Sequence, residues 1–382
     1  MSARIARLLA LCLLASGVSG VSASAQDTRA GVIAQQQAEK ATRLRPYVPG
    51  AAERLLTKVT RGLLETPTGF YPAMGSVYSG GGFTLGVGYR RFYGERSTWD
   101  ATWLYSIRGY KLAQLATQSS GHARGHVDFF ARTLWRDATT VSFYGVGPDS
   151  LLENRGTFRL REGTALFGTR ARAAKWAVLS GAVSLEDYTT TDAPGLESDV
   201  TYTHSTGSAG IDWRPAAGYA RRGGLYEVQY HKYADRDDTY SFDRVDVDLI
   251  QHVPILRENW VLSFRGRMQT TLEDGNVPFF LLPSLGSGST LRAYNSWRFR
   301  DLHSELFSAE FRWIPNRLGF DMAIFYDTGK VAHERGDLNL HDLSDNIGVG
   351  ARFHGPGATP LRIEVGRGAE GIHIVFSGGP AF

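Results

Sequence analysis

The sequence predicts an all-β membrane protein: a closed antiparallel transmembrane β-barrel of about 16 strands with a short N-terminal periplasmic helical lead. Three observations predict it. From about Phe83 to Phe376, apolar or aromatic residues alternate with polar, charged or glycine residues, as at Phe83, Leu85, Val87 and Tyr89. Period two marks a strand with one apolar face. Nearly every such segment also carries charge on its other face, with no buried helix left to pack against. The apolar face is therefore expected to meet lipid and the polar face to surround a lumen. Aromatics at 12% and 44 glycines suit interfacial rings and tight bends.

The elements follow in order. Residues 1–25 read as a secretory signal: Arg4 and Arg7, then apolar Leu8 to Ala15, then Ala23-Ser24-Ala25 as the cleavage site. Ser16 and Gly17 break the apolar run short of the roughly 20 residues a spanning helix needs. Cys12, the only cysteine, lies inside the signal, so disulfides and thiolate metal sites are excluded from the mature chain. Without Arg4 and Arg7 the chain holds 40 basic and 38 acidic residues, which gives no reason to expect nucleic acid as a partner.

Residues 26–66 form a periplasmic segment, partly helical, with helix-compatible stretches at Ala34 to Leu44 and Ala51 to Leu64; it is available to a periplasmic protein partner. Residues 67–382 form the barrel. The strands are expected at 69–78, 82–93, 97–112, 124–136, 139–147, 155–172, 174–190 and 200–214 in the first half. The second half supplies 222–234, 238–255, 259–272, 301–314, 318–330, 345–354, 360–368 and 371–379. Short connections at 94–96, 136–138, 257–259 and 315–317 alternate with longer ones at 151–155, 191–199, 274–300 and 331–344, the asymmetry of an outer-membrane barrel. In the C-terminal half Phe307, Phe311, Met322, Ile324, Tyr326, Ile347 and Val349 are expected outward, and Glu310, Arg312, Asp321, Phe325, Asp327 and Arg352 inward.

The longest connection carries Leu285-Gly286-Ser287-Gly288-Ser289-Thr290-Leu291-Arg292-Ala293-Tyr294, followed by Arg298-Phe299-Arg300-Asp301. Downstream come Ala309-Glu310-Phe311-Arg312-Trp313-Ile314-Pro315 and Ile324-Phe325-Tyr326-Asp327-Thr328-Gly329; upstream lies Phe143-Tyr144-Gly145-Val146-Gly147-Pro148-Asp149-Ser150. These segments resemble the BamA/TamA-like bacterial surface antigen superfamily of outer-membrane β-barrels. The resemblance implies sixteen strands and an inward-folded loop, 274–300, whose apolar–Arg–Gly–aromatic tetrad is here Leu291, Arg292, Ala293 and Tyr294. Ala293 stands where the family has glycine. Alternating apolar residues in the last strand and the terminal Phe382 resemble the signal read by the outer-membrane insertion machinery, with Pro380 a departure from it. Only 41 residues, 26–66, lie between signal and barrel, too few for a POTRA domain. The resemblance thus implies the barrel without that module.

An inward loop needs an anchor against its closure entropy. The fork of an arginine suits a carboxylate in a partly dry lumen, so Arg292 is expected to pair with Asp327, with Glu310 close by. A lateral opening is expected between the first and last strands, edged by Gly80, Gly81, Gly82, Gly378 and Gly379.

The function expected is outer-membrane biogenesis or substrate translocation, by a chain integral to outer-membrane lipids. The alternative is a porin-like diffusion channel, with inward Arg132, Arg265, Arg267, Arg352 and Arg362 mixed with Asp128, Asp246, Asp248 and Glu364. An enzyme is not expected, nor a cofactor or metal. Gly286-Ser287-Gly288-Ser289 is not G-x-S-x-G, and His122 and His126 share no helical face.

Overall fold

The computed structural model describes residues 31–37, 39–40, 68–94, 96–192, 195–256, 258–272, 276–315, 319–354, 359 and 361–382. The chain divides into two compact units, Met1–Lys58 and Val59–Phe382. In the smaller, residues 31–37 and 39–40 are helical and exposed, which overlaps the expected helix at 34–44. The signal and the second helical stretch, 51–64, lie outside the described residues. No described helix is long and apolar enough to cross a membrane.

The larger unit is built on one sixteen-stranded antiparallel sheet. Its first strands are β1 (Gly69–Met74), β2 (Thr84–Tyr93), β3 (Ser97–Ser106), β4 (Lys111–Gly121), β5 (Val127–Phe143) and β6 (Gly156–Arg172). Next come β7 (Ala177–Thr191), β8 (Ser198–Asp212), β9 (Gly223–Asp235), β10 (Phe242–Leu256) and β11 (Trp260–Thr271). After the long connection, which holds the two-residue pair β12 (Ser284–Leu285) and β13 (Phe299–Arg300), run β14 (His303–Trp313), β15 (Phe320–Ala332), β16 (Ser344–Phe353), β17 (Leu361–Gly368) and β18 (Gly371–Ser377). Strands adjacent in sequence are adjacent in the sheet, with β11 passing directly to β14.

The alternation produces a sheet whose polarity is inverted relative to a soluble fold. On β15 Ile324 is 54% exposed while Asp321 and Asp327 are fully buried. The same parity runs through β14 and β16, as the face assignment expects.

The strand count matches the expectation, but two elements were misplaced and their errors cancel. The expected strand 97–112 is β3 followed by a tight connection and the first residues of β4. Most of β4 was missed, because Ala113, Gln114, Ala116, Thr117 and Gln118 give weak alternation. The expected strands 124–136 and 139–147 are one strand, β5. A register shift between Ala138 and Val141, where two residues of β5 oppose one of β6, breaks the period without ending the ladder. Residues 136–138 are consequently not a turn.

The inner face is not uniformly polar. Toward the end where β5 meets β6 and β9 meets β10, Leu134, Val141, Phe158, Leu160, Tyr188, Tyr202, Tyr233 and Phe242 pack with Phe280 of the long connection. An apolar plug thus occupies one end of the interior, where the alternation predicts a polar face.

Candidate functional site

Residues 276–302 of the connection between β11 and β14 lie on the inner face of the sheet, and the central arginine is held by three strands. Arg292 is 2% exposed. Its Nε donates to Asp327 Oδ2 at 2.8 Å and its Nη2 to Asp327 Oδ1 at 2.7 Å, a two-pronged pair with β15. Its Nη1 donates at 3.0 Å both to Glu310 Oε2 on β14 and to Glu364 Oε1 on β17. The guanidinium lies 3.6 Å from the Phe325 ring centroid, a cation–π platform in a dry setting. Burial opposes the charge on Arg292, yet the surrounding carboxylates outweigh it and hold the pKa above the usual arginine range.

The register brings these groups together. Arg352 stands opposite Arg362, Glu364 opposite Gly350, and Asp327 opposite Asn346. Arg352 donates through Nη1 to Glu310 Oε1 at 2.5 Å and through Nη2 to Glu310 Oε2 and Glu364 Oε1. Asn346 donates to Asp327 Oδ2 at 2.9 Å. Glycines make the floor flat enough: a Cβ at Gly348 would lie 2.3 Å from the tip of Phe325, and one at Gly350 2.7 Å from Glu364 Cγ. A hydrogen-bonded buried network of this kind fixes geometry more than it adds net stability.

The other tetrad residues also have places. Leu291 is fully buried with Leu285, Tyr294, Phe299, Leu306 and Val331. The Ala293 amide donates to Asn346 Oδ1 at 3.3 Å, and Tyr294 Oη to the Asp345 carbonyl at 3.2 Å. Ala293 is not among the residues with positive φ, so alanine carries no left-handed strain there; the loop's left-handed turn falls on Gly286 and Trp297. A Cβ on Gly366 would meet Ala293 Cβ at 3.1 Å, so glycine on β17 makes the room.

Further along, Arg298 donates to Ser150 Oγ and the Ser150 carbonyl at 2.8 and 2.7 Å and pairs with Glu370. The Gly147 amide donates to the Arg300 carbonyl at 2.8 Å. The Phe143–Ser150 segment is thus a docking site for the loop's C-terminal limb. Arg300 is buried against Trp297 and Phe158, and burial pulls its pKa down to about 10.

At the sheet's two ends, β1 and β18 are edge strands with no ladder between them. Both line one cleft of about 1150 Å³, together with Ser287, Gly288, Ser289, Arg292 and Asn295 of the loop. The loop touches both sides of this cleft. Trp297 Nε1 donates to the Ser79 carbonyl at 3.0 Å and stacks on Tyr78 near β1, while Arg362 Nη2 on β17 donates to the Gly288 carbonyl at 2.7 Å. The glycines Gly80, Gly81, Gly82, Gly378 and Gly379 rim the cleft but lie outside the strands. Gly80, Gly82 and Gly379 have φ between 74° and 89°, the left-handed region that glycine favours; β1 ends at Met74, not at Tyr78.

Sequence reasoning named Arg292, Asp327 and Glu310. It placed Arg352, Arg362 and Glu364 on the inner face but read them as lumen lining, not as partners of the loop. Their convergence depends on register across β15–β17, which one sequence does not print. Among the described residues no group of three or more His, Cys, Asp or Glu is arranged to hold a metal.

No protein-family model and no curated protein matches the chain. Solved structures similar in fold include a BamA and two CdiB proteins. BamA from Haemophilus ducreyi, in a form lacking POTRA domains 1–3, superposes with a TM-score of 0.59 at 12% identity, over 86% of this chain and 78% of that one. CdiB from Escherichia coli gives 0.55 at 10% identity, and CdiB from Acinetobacter baumannii 0.53 at 10%, each over 81% of this chain. The chain spans 62% and 58% of those two proteins. The sixteen-stranded sheet with its inward loop therefore has the barrel fold of the BamA and CdiB structures.

Proposed function

We propose that the chain is an integral outer-membrane barrel protein of a Gram-negative bacterium, exported on a cleaved signal and acting in outer-membrane biogenesis or in moving a substrate through or beside the barrel. The sheet closes by bringing β1 against β18, and that junction is the site of action. The observation that carries this reading is the cleft shared by the two edge strands and the loop. β1 has six residues and β18 seven, short of the roughly 9–11 a spanning strand needs, so the junction is the weakest part of the wall. Arg292 holds the loop in place beside it. Outer-membrane lipids and, during assembly, the outer-membrane insertion machinery are the partners this reading requires. Residues 26–66 are the surface for a periplasmic protein.

The diffusion-channel reading is the weaker one, because the loop and the apolar cluster fill much of the interior. Outer-membrane protein content in cells lacking the chain separates the two. Depletion of other barrel proteins or exported substrates supports biogenesis or translocation. Unchanged content with reduced uptake of small hydrophilic solutes supports the channel. Removing residues 26–66 from the chain should reproduce the biogenesis defect where that segment docks a partner.

A further inference from the structure

We propose that the lumen is closed twice in series, by the long loop at one end and by the β8–β9 connection at the end where β1 begins and β18 finishes, and that either closure alone blocks ion flow. The proposal rests on the barrel reading above.

The β8–β9 connection, residues 213–222, is longer than its neighbours at that end, such as 94–96 and 173–176. A hairpin between adjacent strands needs only two to five residues. The surplus folds inward. Tyr219 and Ala220 are buried, at 6% and 4% exposure. Tyr219 Oη donates to Asp321 Oδ2 on β15 at 3.1 Å, and its ring stacks on His354 at 3.8 Å. Arg312 Nη2 on β14 donates to the Ala220 carbonyl at 2.7 Å, and Thr359 Oγ1 donates to the Gly218 carbonyl at 3.1 Å.

In sheet order, β10, β11 and β14 separate β9 from β15. At ~4.8 Å per strand, that is about 19 Å of wall. A connection that leaves β8, meets β14 and β15 on their inner face and touches the β16–β17 connection crosses the mouth instead of following its own wall. Two further groups thicken the crossing: Arg312 also donates to Ser263 Oγ at 2.8 Å, and the Phe382 ring lies parallel to that of His252. Burial, with Asp321 beside it, raises the Tyr219 pKa and keeps the phenol a donor.

The two closures meet at one residue. Glu310 accepts from Arg292 of the loop, and its Oε1 lies 3.6 Å from Arg312 Nε, the guanidinium that holds the β8–β9 connection. Closure in series allows the loop to shift at the β1–β18 junction without opening a path for ions.

Planar-bilayer conductance of four proteins tests this: the full chain, a chain with 287–296 replaced by Asn-Gly, one with 214–222 replaced by Asn-Gly, and one with both. The first three should stay closed apart from brief flickers, and the double replacement should conduct steadily, at least about tenfold above them. A steady pore from either single replacement overturns series closure. A double replacement that inserts and stays closed shows that these two segments are not the closures and overturns the proposal. A measurement that leaves the loop intact guards against misfolding. In a Cys12→Ser background, an impermeant thiol reagent should label Arg267→Cys about tenfold faster once 214–222 is shortened; an unchanged rate shows that this connection closes nothing.

Discussion

Arg292 answers to three carboxylates, so its replacement has a predictable sign and size. Arg292→Ala strands Asp327, Glu310 and Glu364 in a dry interior with only Arg312, Arg352 and Arg362 to compensate. Breaking a buried pair on one side costs about 3–5 kcal/mol, and urea unfolding of the detergent-solubilised protein should show a loss of that order. Arg292→Lys should recover only part of it, because an ammonium cannot span Asp327 in two prongs and reach Glu310 as well. A charge swap, Arg292→Asp with Asp327→Arg, should fail to rescue, since the new aspartate would face Glu310 and Glu364. Recovery in the swap would show that the pair acts alone. The floor makes its own prediction: a Cβ at Gly348 would sit 2.4 Å from the Val365 carbonyl oxygen, which cannot move aside. Gly348→Ala should cost about 1–3 kcal/mol by the same assay. At this scale the sequence disclosed the arginine and two acids, through motif and face parity. The roles of Glu364, Arg352 and Phe325 were not legible, because they depend on which residues stand opposite across three strands.

Individual elements differ in what holds them. β5 to β8 run 15 to 17 residues and pair on both sides, whereas β1 and β18 are half that length and pair on one. Amides of β1 and β18 should therefore exchange with deuterium well before those of β5–β8, and uniform protection would contradict a weak junction. The Tyr71 side chain ties β1 to β3: its Oη donates to Asp100 Oδ2 at 2.7 Å and lies 3.4 Å from Thr102 Oγ1, with the ring where Gly88 leaves space. Tyr71→Phe should cost about 1 kcal/mol and speed exchange in β1 while leaving β7 unchanged. Strand existence was readable wherever aromatics or branched residues sat on alternate positions, as in β14–β16. It failed at β4, whose outer face carries Ala113, Leu115 and Thr117, and at the irregular pairing of β5, where the ladder continues although the period does not.

The whole molecule reverses the usual arrangement of a soluble protein, with isoleucine and tryptophan outside and arginine and aspartate inside. No choice of register removes this inversion, since a one-residue slip would place Asp321 and Asp327 outward beside Ile347 and Val349. The measurement that tests the account most directly is spin-label accessibility along β15 and β16 in reconstituted bilayers. Labels at Ile324, Ile347 and Val349 should collide with dissolved oxygen and be shielded from a water-soluble nickel complex, while a label at Ala323 should not show that lipid signature. Nickel access at Ile324, Ile347 and Val349 equal to that of an exposed loop would contradict a lipid-facing wall and, with it, the barrel.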